Sequence, residues 1–160
     1  MDLSLLRCGL VLCAGLGVCA WGAAAQPLPE NRGKDVFESV CNLCHDAASA
    51  VMGKQWTRAQ WETKVAEMLQ EETDVTSQER AAIVDYLSVS FRPGGTIYVN
   101  KATATDLQAA LDLSPSDADA IAHHRQQHGS FKTVNDLKNV AGISADDAAK
   151  IDARRDRLAF

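Results

Sequence analysis

The sequence predicts an all-α protein made of two small helical domains in succession. Apolar residues recur at helical spacing in both halves of the chain, and Ser or Thr precedes several of these segments, as at helix N-caps. A break, "RPGG" at positions 92–95, separates the halves, and no Cys, Trp or Met follows it. We therefore expect domains at 26–93 and 94–160, each near the lower size limit for a stable core.

The first 25 residues have the layout of a secretory signal peptide. A positive charge at Arg7 precedes an apolar run that ends in small residues, and cleavage is expected after Ala25. A membrane anchor is disfavoured because the run is rich in Gly and Ala and lacks a positive stop after it. The sequence thus predicts a periplasmic protein with no membrane segment after cleavage. The mature chain keeps a single cysteine pair, Cys41 and Cys44.

Three helical segments are expected between the signal peptide and the break. The first is "KDVFESVCNLCH", and the second is "RAQWETKVAEMLQE". The third begins after a cap at Thr76 or Ser77, with Glu79 three residues after Thr76 for a capping box, and runs to Phe91.

The cysteine pair belongs to the pattern C-x-x-C-H, which is the attachment sequence for c-type haem. In such a site Cys41 and Cys44 form thioethers with the porphyrin vinyl groups, and the His45 imidazole ligates the iron. A thioredoxin-like redox pair is disfavoured because no strand–helix setting surrounds it, and a zinc site lacks further ligands of matching type. The pattern therefore predicts one covalently bound haem c per chain.

The block from Gly33 to Phe91 resembles a small class I cytochrome c domain. A helix with the C-x-x-C-H sequence opens the block, and "IVDYLSVSF" in its last helix is similar to the C-terminal helix of that family. The resemblance implies one-electron transfer by an axially ligated iron. It also implies a methionine as sixth ligand, for which Met68 is preferred because Met52 lies only seven residues after His45. The alternative is that Met68 packs in the core beside Trp61 and Val65.

The second half contains two similar helix–turn–helix units, "LQAALDLSPSDADAIAHHR" and "LKNVAGISADDAAKIDARR". In each unit a Ser is expected to cap the second helix. From Tyr98 onward the chain resembles the tandem helix-hairpin-helix domain of the ComEA type, found in competence DNA receptors. The resemblance rests on "VNKATATDLQ" and on "IAHHRQQHGSFKTVNDLKNVAGIS". It implies hairpins whose backbone N–H groups approach DNA phosphates in front of a helix N-terminus.

The charges near these hairpins argue against DNA binding. The second hairpin keeps Gly142, but the first has no glycine, and five carboxylates that would repel phosphate lie nearby: Asp112, Asp117, Asp119, Asp146 and Asp147. From Gly94 onward, eight Lys and Arg face nine Asp, and the whole chain has a net charge of −5. One local basic patch remains, at Arg154, Arg155 and Arg157. Three histidines, His123, His124 and His128, are expected to be exposed on a polar helix.

The sequence therefore predicts a periplasmic monohaem c-type cytochrome that transfers electrons and is not itself an enzyme. Its cofactor-binding residues are Cys41, Cys44, His45 and Met68, with His45 and Met68 on the metal. Its expected partner is a periplasmic redox protein or dehydrogenase, docked through the helix-hairpin-helix module. Two alternatives stay open: a DNA-binding helix-hairpin-helix protein that carries a haem domain, and a five-coordinate haem sensor or enzyme.

Overall fold

A computed structural model describes residues 26–160 and confirms the all-α prediction. The predicted signal peptide, 1–25, lies outside the described residues. The elements in chain order are α1 Lys34–Cys41, α2 Ala47–Val51, α3 Arg58–Met68, α4 Ser77–Ser90, β1 Ile97–Tyr98, α5 Ala104–Leu111, α6 Pro115–His128, α7 Val134–Lys138, α8 Ala145–Ala153, a 3₁₀ turn Arg155–Arg157 and β2 Leu158–Ala159. Between residues 26 and 160, no helix is both long and apolar enough to cross a membrane.

Reciprocal capping boxes begin α3 and α4. The Thr57 hydroxyl accepts from the backbone N–H of Gln60, whose side chain accepts from the N–H of Thr57 in return. Thr76 and Glu79 form the same arrangement at α4, so Thr76 rather than Ser77 is the cap. These pairs satisfy backbone donors that the first helical turn leaves free.

The first three long helices enclose an aromatic core. Phe37 of α1, Trp61 of α3 and Tyr86 of α4 are each at most 2% exposed, and Phe91 packs between the last two. Gly33 allows α1 to approach α4, because a Cβ there would lie 2.7 Å from the Ala82 carbonyl oxygen. The sequence prediction extended α1 too far, and the short helix α2 was not expected.

The C-terminal half is built as two helical hairpins around a second, separate apolar cluster. Helices α5 and α6 form the first hairpin, and α7 and α8 form the second. As expected, a serine caps the second helix of each, Ser114 for α6 and Ser144 for α8. All four helices contribute fully buried apolar residues to this cluster: Leu107, Leu111, Ile121, Leu137 and Ile151.

Contacts far apart in sequence join the two halves. Within the C-terminal half, the strands β1 and β2 pair in parallel, which returns the C-terminus to the segment that follows the break, and polar contacts then cross between the halves. Lys54 pairs with Asp106 of α5 at 2.8 Å, and Arg157 donates to the Gly95 carbonyl and to the Gln55 side chain. The proposed domain division at 93/94 stays a prediction, although each half has its own hydrophobic cluster.

Candidate functional site

The two hairpins are tied together by an exchange of capping interactions. In an ordinary capping box, the third residue of the helix accepts from the backbone N–H of its own N-cap residue. Here Asp147 of α8 accepts from the N–H of Ser114, the cap of α6, at 2.7 Å. Asp117 of α6 accepts from the N–H of Ser144, the cap of α8, at 2.9 Å. This crossed capping box holds the N-termini of α6 and α8 side by side.

The crossed capping box corrects the expectation that five carboxylates face a bound phosphate. Asp117 and Asp147 are only 5% and 2% exposed, and their charges are directed into the protein. A hydrogen bond from Lys150, followed by the bond from the Ser114 N–H, lowers the pKa of Asp147 to about 2. These two residues therefore have a structural role, while Asp112, Asp119 and Asp146 stay at the surface.

The tips of both hairpins contain a residue with a positive φ in spite of their different sequences. Gly142 has a φ of +95°, and a Cβ at this position would meet no atom within 4 Å. At the equivalent place in the first hairpin, Asp112 has a φ of +57°, the one non-glycine residue with a positive φ among residues 26–160. Asp is among the few residues other than Gly that adopt this conformation at modest cost. The first hairpin therefore reaches a positive φ at its tip without a glycine.

Free backbone N–H groups lie at the starts of α6 and α8, the second helices of the two hairpins. The N–H groups of Ser116 in α6 and of Ala145 and Asp146 in α8 have no acceptor among residues 26–160. All three residues are exposed. Free N–H groups and the positive end of the helix dipole together favour an anion at this position.

A lysine provides positive charge next to these donors. The Lys150 ammonium group lies 2.9 Å from Asp147, 3.0 Å from Asp146 and 3.9 Å from Asp112. It thereby offsets the charge of two of the three exposed carboxylates, Asp112 and Asp146. Hydrogen bonds to Asp147 and Asp146 raise the pKa of Lys150, so it is a cation at every physiological pH.

The basic patch expected at the end of α8 is engaged within the protein. Arg154 donates to the Lys150 carbonyl, Arg155 pairs with Asp152, and Arg157 contacts the N-terminal half. The three histidines lie on α6 as expected, with His123 and His128 exposed. His124 is partly covered, because its ring stacks on Phe131 at a centroid distance of 5.4 Å.

The residues predicted to bind a cofactor lie around a cavity in the N-terminal half. Helix α1 ends at Cys41, and Cys44 and His45 follow in an exposed turn. Met68 ends α3 and is 60% exposed, so it does not pack in the core beside Trp61 and Val65. All four predicted residues line one cavity of about 380 Å³. Burial, and the nearby Cys44, raise the pKa of the Cys41 thiol to about 11.

The comparisons with known proteins concern the C-terminal half. Residues 93–154 match the family described as helix-hairpin-helix motif. A segment of 58 residues is 36% identical to ComE operon protein 1 of Bacillus subtilis (strain 168). This segment is 36% of this chain and 28% of the relative. Over 63 residues the chain is 35% identical to an uncharacterized protein of Haemophilus influenzae, covering 39% of this chain and 54% of the relative. The matches thus span about a quarter to a half of these relatives. No solved structure matches the chain.

These findings confirm the helix-hairpin-helix part of the sequence prediction and overturn its main functional part. The match is to a helix-hairpin-helix motif and a ComE operon protein, not to a cytochrome. The predictions of a bound haem c and iron, of electron transfer, and of a redox protein or dehydrogenase as partner are therefore wrong. They rested mainly on three fixed positions in five residues, whereas the hairpin match extends over 62 residues. Within residues 26–160, no group of three or more His, Cys, Asp or Glu is placed to hold a metal ion.

Proposed function

We propose that the protein is an exported DNA-binding protein whose paired hairpins hold the phosphate backbone of a duplex. The observation that carries this proposal is the crossed capping box, which places the N-termini of α6 and α8 next to one another. The match of residues 93–154 to a helix-hairpin-helix motif and the ComE operon protein relative support it. Export rests on the predicted signal peptide, and the function is binding rather than catalysis.

Backbone N–H groups and Lys150 are the groups that contact phosphate in this proposal. The donors of Ser116, Ala145 and Asp146 are free and exposed, and they carry no information about base sequence. Two hairpins give few phosphate contacts, so the affinity is modest and falls with rising salt concentration. The exposed carboxylates of Asp112 and Asp146 limit the affinity further, because they lie beside the phosphate path.

The test is fluorescence anisotropy of a labelled DNA duplex of mixed sequence, measured from about 20 to 200 mM salt. We expect binding that weakens steadily across this range and is insensitive to base sequence. An absence of binding at the lowest salt concentration would rule out the proposal.

A substitution at the start of α8 separates DNA binding from folding. Ala145→Asp adds a negative charge at the first position of α8. There the charge stabilises the helix through its dipole but repels phosphate. We expect a loss of DNA affinity of about tenfold at low salt, because added like charge costs roughly 1 kcal/mol or more at this range. Ser77→Asp is the matched control, since Ser77 holds the same position at the start of α4. Equal effects of the two variants would argue against the hairpin site.

The opposite change removes charge from the hairpin tips. Asp112→Asn keeps a residue type that tolerates the positive φ and removes one exposed carboxylate. We expect tighter DNA binding by this variant at low salt, with the difference shrinking as salt screens the charge. Asp119→Asn, an exposed position on α6 outside the crossed capping box, is the comparison for general charge effects.

A further inference from the structure

The N-terminal half contains a cavity that the hairpin function does not use. Its volume of about 380 Å³ lies within the usual range of small-molecule sites. The floor and walls are formed mainly by apolar side chains of α1, α3 and α4: Phe37, Val40, Trp61, Val65, Ile83 and Leu87. No residue of either hairpin lines the cavity, so it is a separate feature of the molecule.

A buried donor in the cavity wall lacks a partner. Trp61 is 2% exposed, and its indole N–H has no acceptor among residues 26–160. Buried polar groups of folded proteins almost always have a hydrogen-bond partner, so this N–H is a donor that a bound molecule can use. The neighbouring ring of Trp56, at a centroid distance of 4.7 Å, supplies packing but no acceptor.

The mouth of the cavity has an unusual surface composition. Leu43 is 80% exposed and Met68 is 60% exposed, and they are two of the three large apolar side chains exposed within residues 26–160. Both line the cavity, together with Cys44 and His45. Apolar side chains gathered at the edge of a concave site are typical of a ligand-binding surface. The flexible, polarizable side chain of Met68 can adapt to the shape of a bound molecule.

We propose that this cavity binds a bulky, mostly apolar small molecule that carries a hydrogen-bond acceptor. The apolar body of the ligand fills the space between α1, α3 and α4, and the unpaired N–H of Trp61 in the cavity wall is the donor for its acceptor. Cys41, Cys44, His45 and Met68 are then contact residues around the ligand. This inference is independent of DNA binding, because the hairpins and the cavity share no residue.

The first experiment measures binding of two matched probes to the full-length exported protein. One is 8-anilinonaphthalene-1-sulfonate, and the other is N-phenyl-1-naphthylamine, the same ring system without the acceptor group. We expect saturable one-to-one binding of both probes by fluorescence titration. Val40→Trp fills the cavity and should abolish it, while Val89→Trp, at an exposed α4 position outside the cavity, should leave it unchanged. Absent or non-saturable binding, or equal effects of the two variants, would overturn the proposal.

The second experiment tests the acceptor and does not depend on the stability of Val40→Trp. Trp61→Phe keeps an aromatic ring but removes the N–H. We expect the affinity for the sulfonate probe to fall roughly tenfold and the affinity for the uncharged probe to stay the same. A saturating probe should also slow alkylation of the exposed Cys44 thiol at the cavity mouth. Equal losses for both probes in Trp61→Phe, or no protection of Cys44, would contradict the site.

Discussion

Two aspartates determine how the hairpins meet. Each follows a capping serine by three residues, at Ser114–Asp117 and at Ser144–Asp147. At α3, α4, α5 and α7 the residue in this position bonds to its own N-cap N–H, whereas these two bond to the other hairpin. The repeated spacing was visible in the sequence, but the sequence alone assigns such an Asp to its own cap. Only the close approach of the N-termini of α6 and α8 reveals the exchange.

Replacing Asp147 with alanine should destabilise the protein. The change leaves the Ser114 N–H without its acceptor and Lys150 without its closest carboxylate, so we expect a loss of roughly 1–3 kcal/mol in the free energy of unfolding. Urea denaturation monitored by circular dichroism measures it. Asp119→Ala, at an exposed position of α6, should change stability by less than about 0.5 kcal/mol. Equal losses in both variants would contradict a structural role for Asp147.

The contribution of Asp147 should also depend on pH. Its pKa in the folded protein is about 2, below the ordinary value of 3.8, so the folded state favours the carboxylate. The stabilisation is therefore complete above about pH 4 and is lost as the pH falls toward 2. Asp147→Asn cannot ionise, so the stability difference between wild type and variant should shrink across this window. Denaturation midpoints of both proteins from pH 5 to pH 2 measure it, and a constant difference would argue against the low pKa.

At the scale of elements, capping residues explain which helices were predictable. The starts of α3 and α4 are fixed by Thr57 and Thr76, which bond to backbone donors only three residues away. Such local signals can be recognised from sequence alone. Helix α2 has five residues and was missed, although Asp46 caps it. The paired strands have two residues each and join segments about 60 residues apart, so no local pattern indicates them.

The cap of α4 can be assigned by a pair of neighbouring substitutions. Thr76→Ala removes the hydroxyl that accepts from the Glu79 N–H and should cost about 1 kcal/mol of stability. Ser77→Ala changes the adjacent, exposed residue and should be nearly neutral, since alanine is a good helix former at this position. Denaturation midpoints of both variants give the answer. A larger loss in Ser77→Ala would show that the cap was assigned to the wrong residue.

The candidate sites were predictable to different degrees. The sequence identified the capping serines and the glycine at the second hairpin, and these hold the geometry of the proposed DNA site. It did not indicate that Asp112 shares a positive φ with Gly142, because a positive φ at Asp is set by the surrounding structure. The cavity depends on α1, α3 and α4 coming together, and Trp61 has no sequence feature that marks an unpaired N–H.

For the whole molecule, a small set of polar contacts determines whether the halves unfold together. Lys54 reaches Asp106 of α5, and Arg157, near the C-terminus, returns to Gln55 and Gly95. Both members of the ion pair are mostly covered, with side chains 24% and 12% exposed, so solvent screens the pair less than an exposed one. Asp106 also completes the capping box of α5, so it links the helix start to the N-terminal half.

We therefore expect the wild-type protein to unfold in one transition that becomes two when these contacts are removed. The fluorescence of Trp56 and Trp61 follows only the N-terminal half, because no tryptophan lies beyond the "RPGG" break, whereas far-ultraviolet circular dichroism follows both halves. In wild type the two signals should change at the same urea concentration. In the double variant Lys54→Met and Arg157→Ala they should separate, since each lost contact weakens the coupling by about 1 kcal/mol.

Arg155→Ala is the matched control for this experiment, because Arg155 is exposed and its partner Asp152 lies in the same half of the chain. In this variant the tryptophan fluorescence and the circular dichroism should still change at the same urea concentration. Separate transitions already in wild type would mean that the halves fold independently and that the contacts between them add little. Coincident transitions in the double variant would instead assign the coupling to contacts that survive both changes, such as the bonds from the Gln55 side chain to the Gly95 and Thr96 carbonyls and the packing of Tyr98 against Phe91.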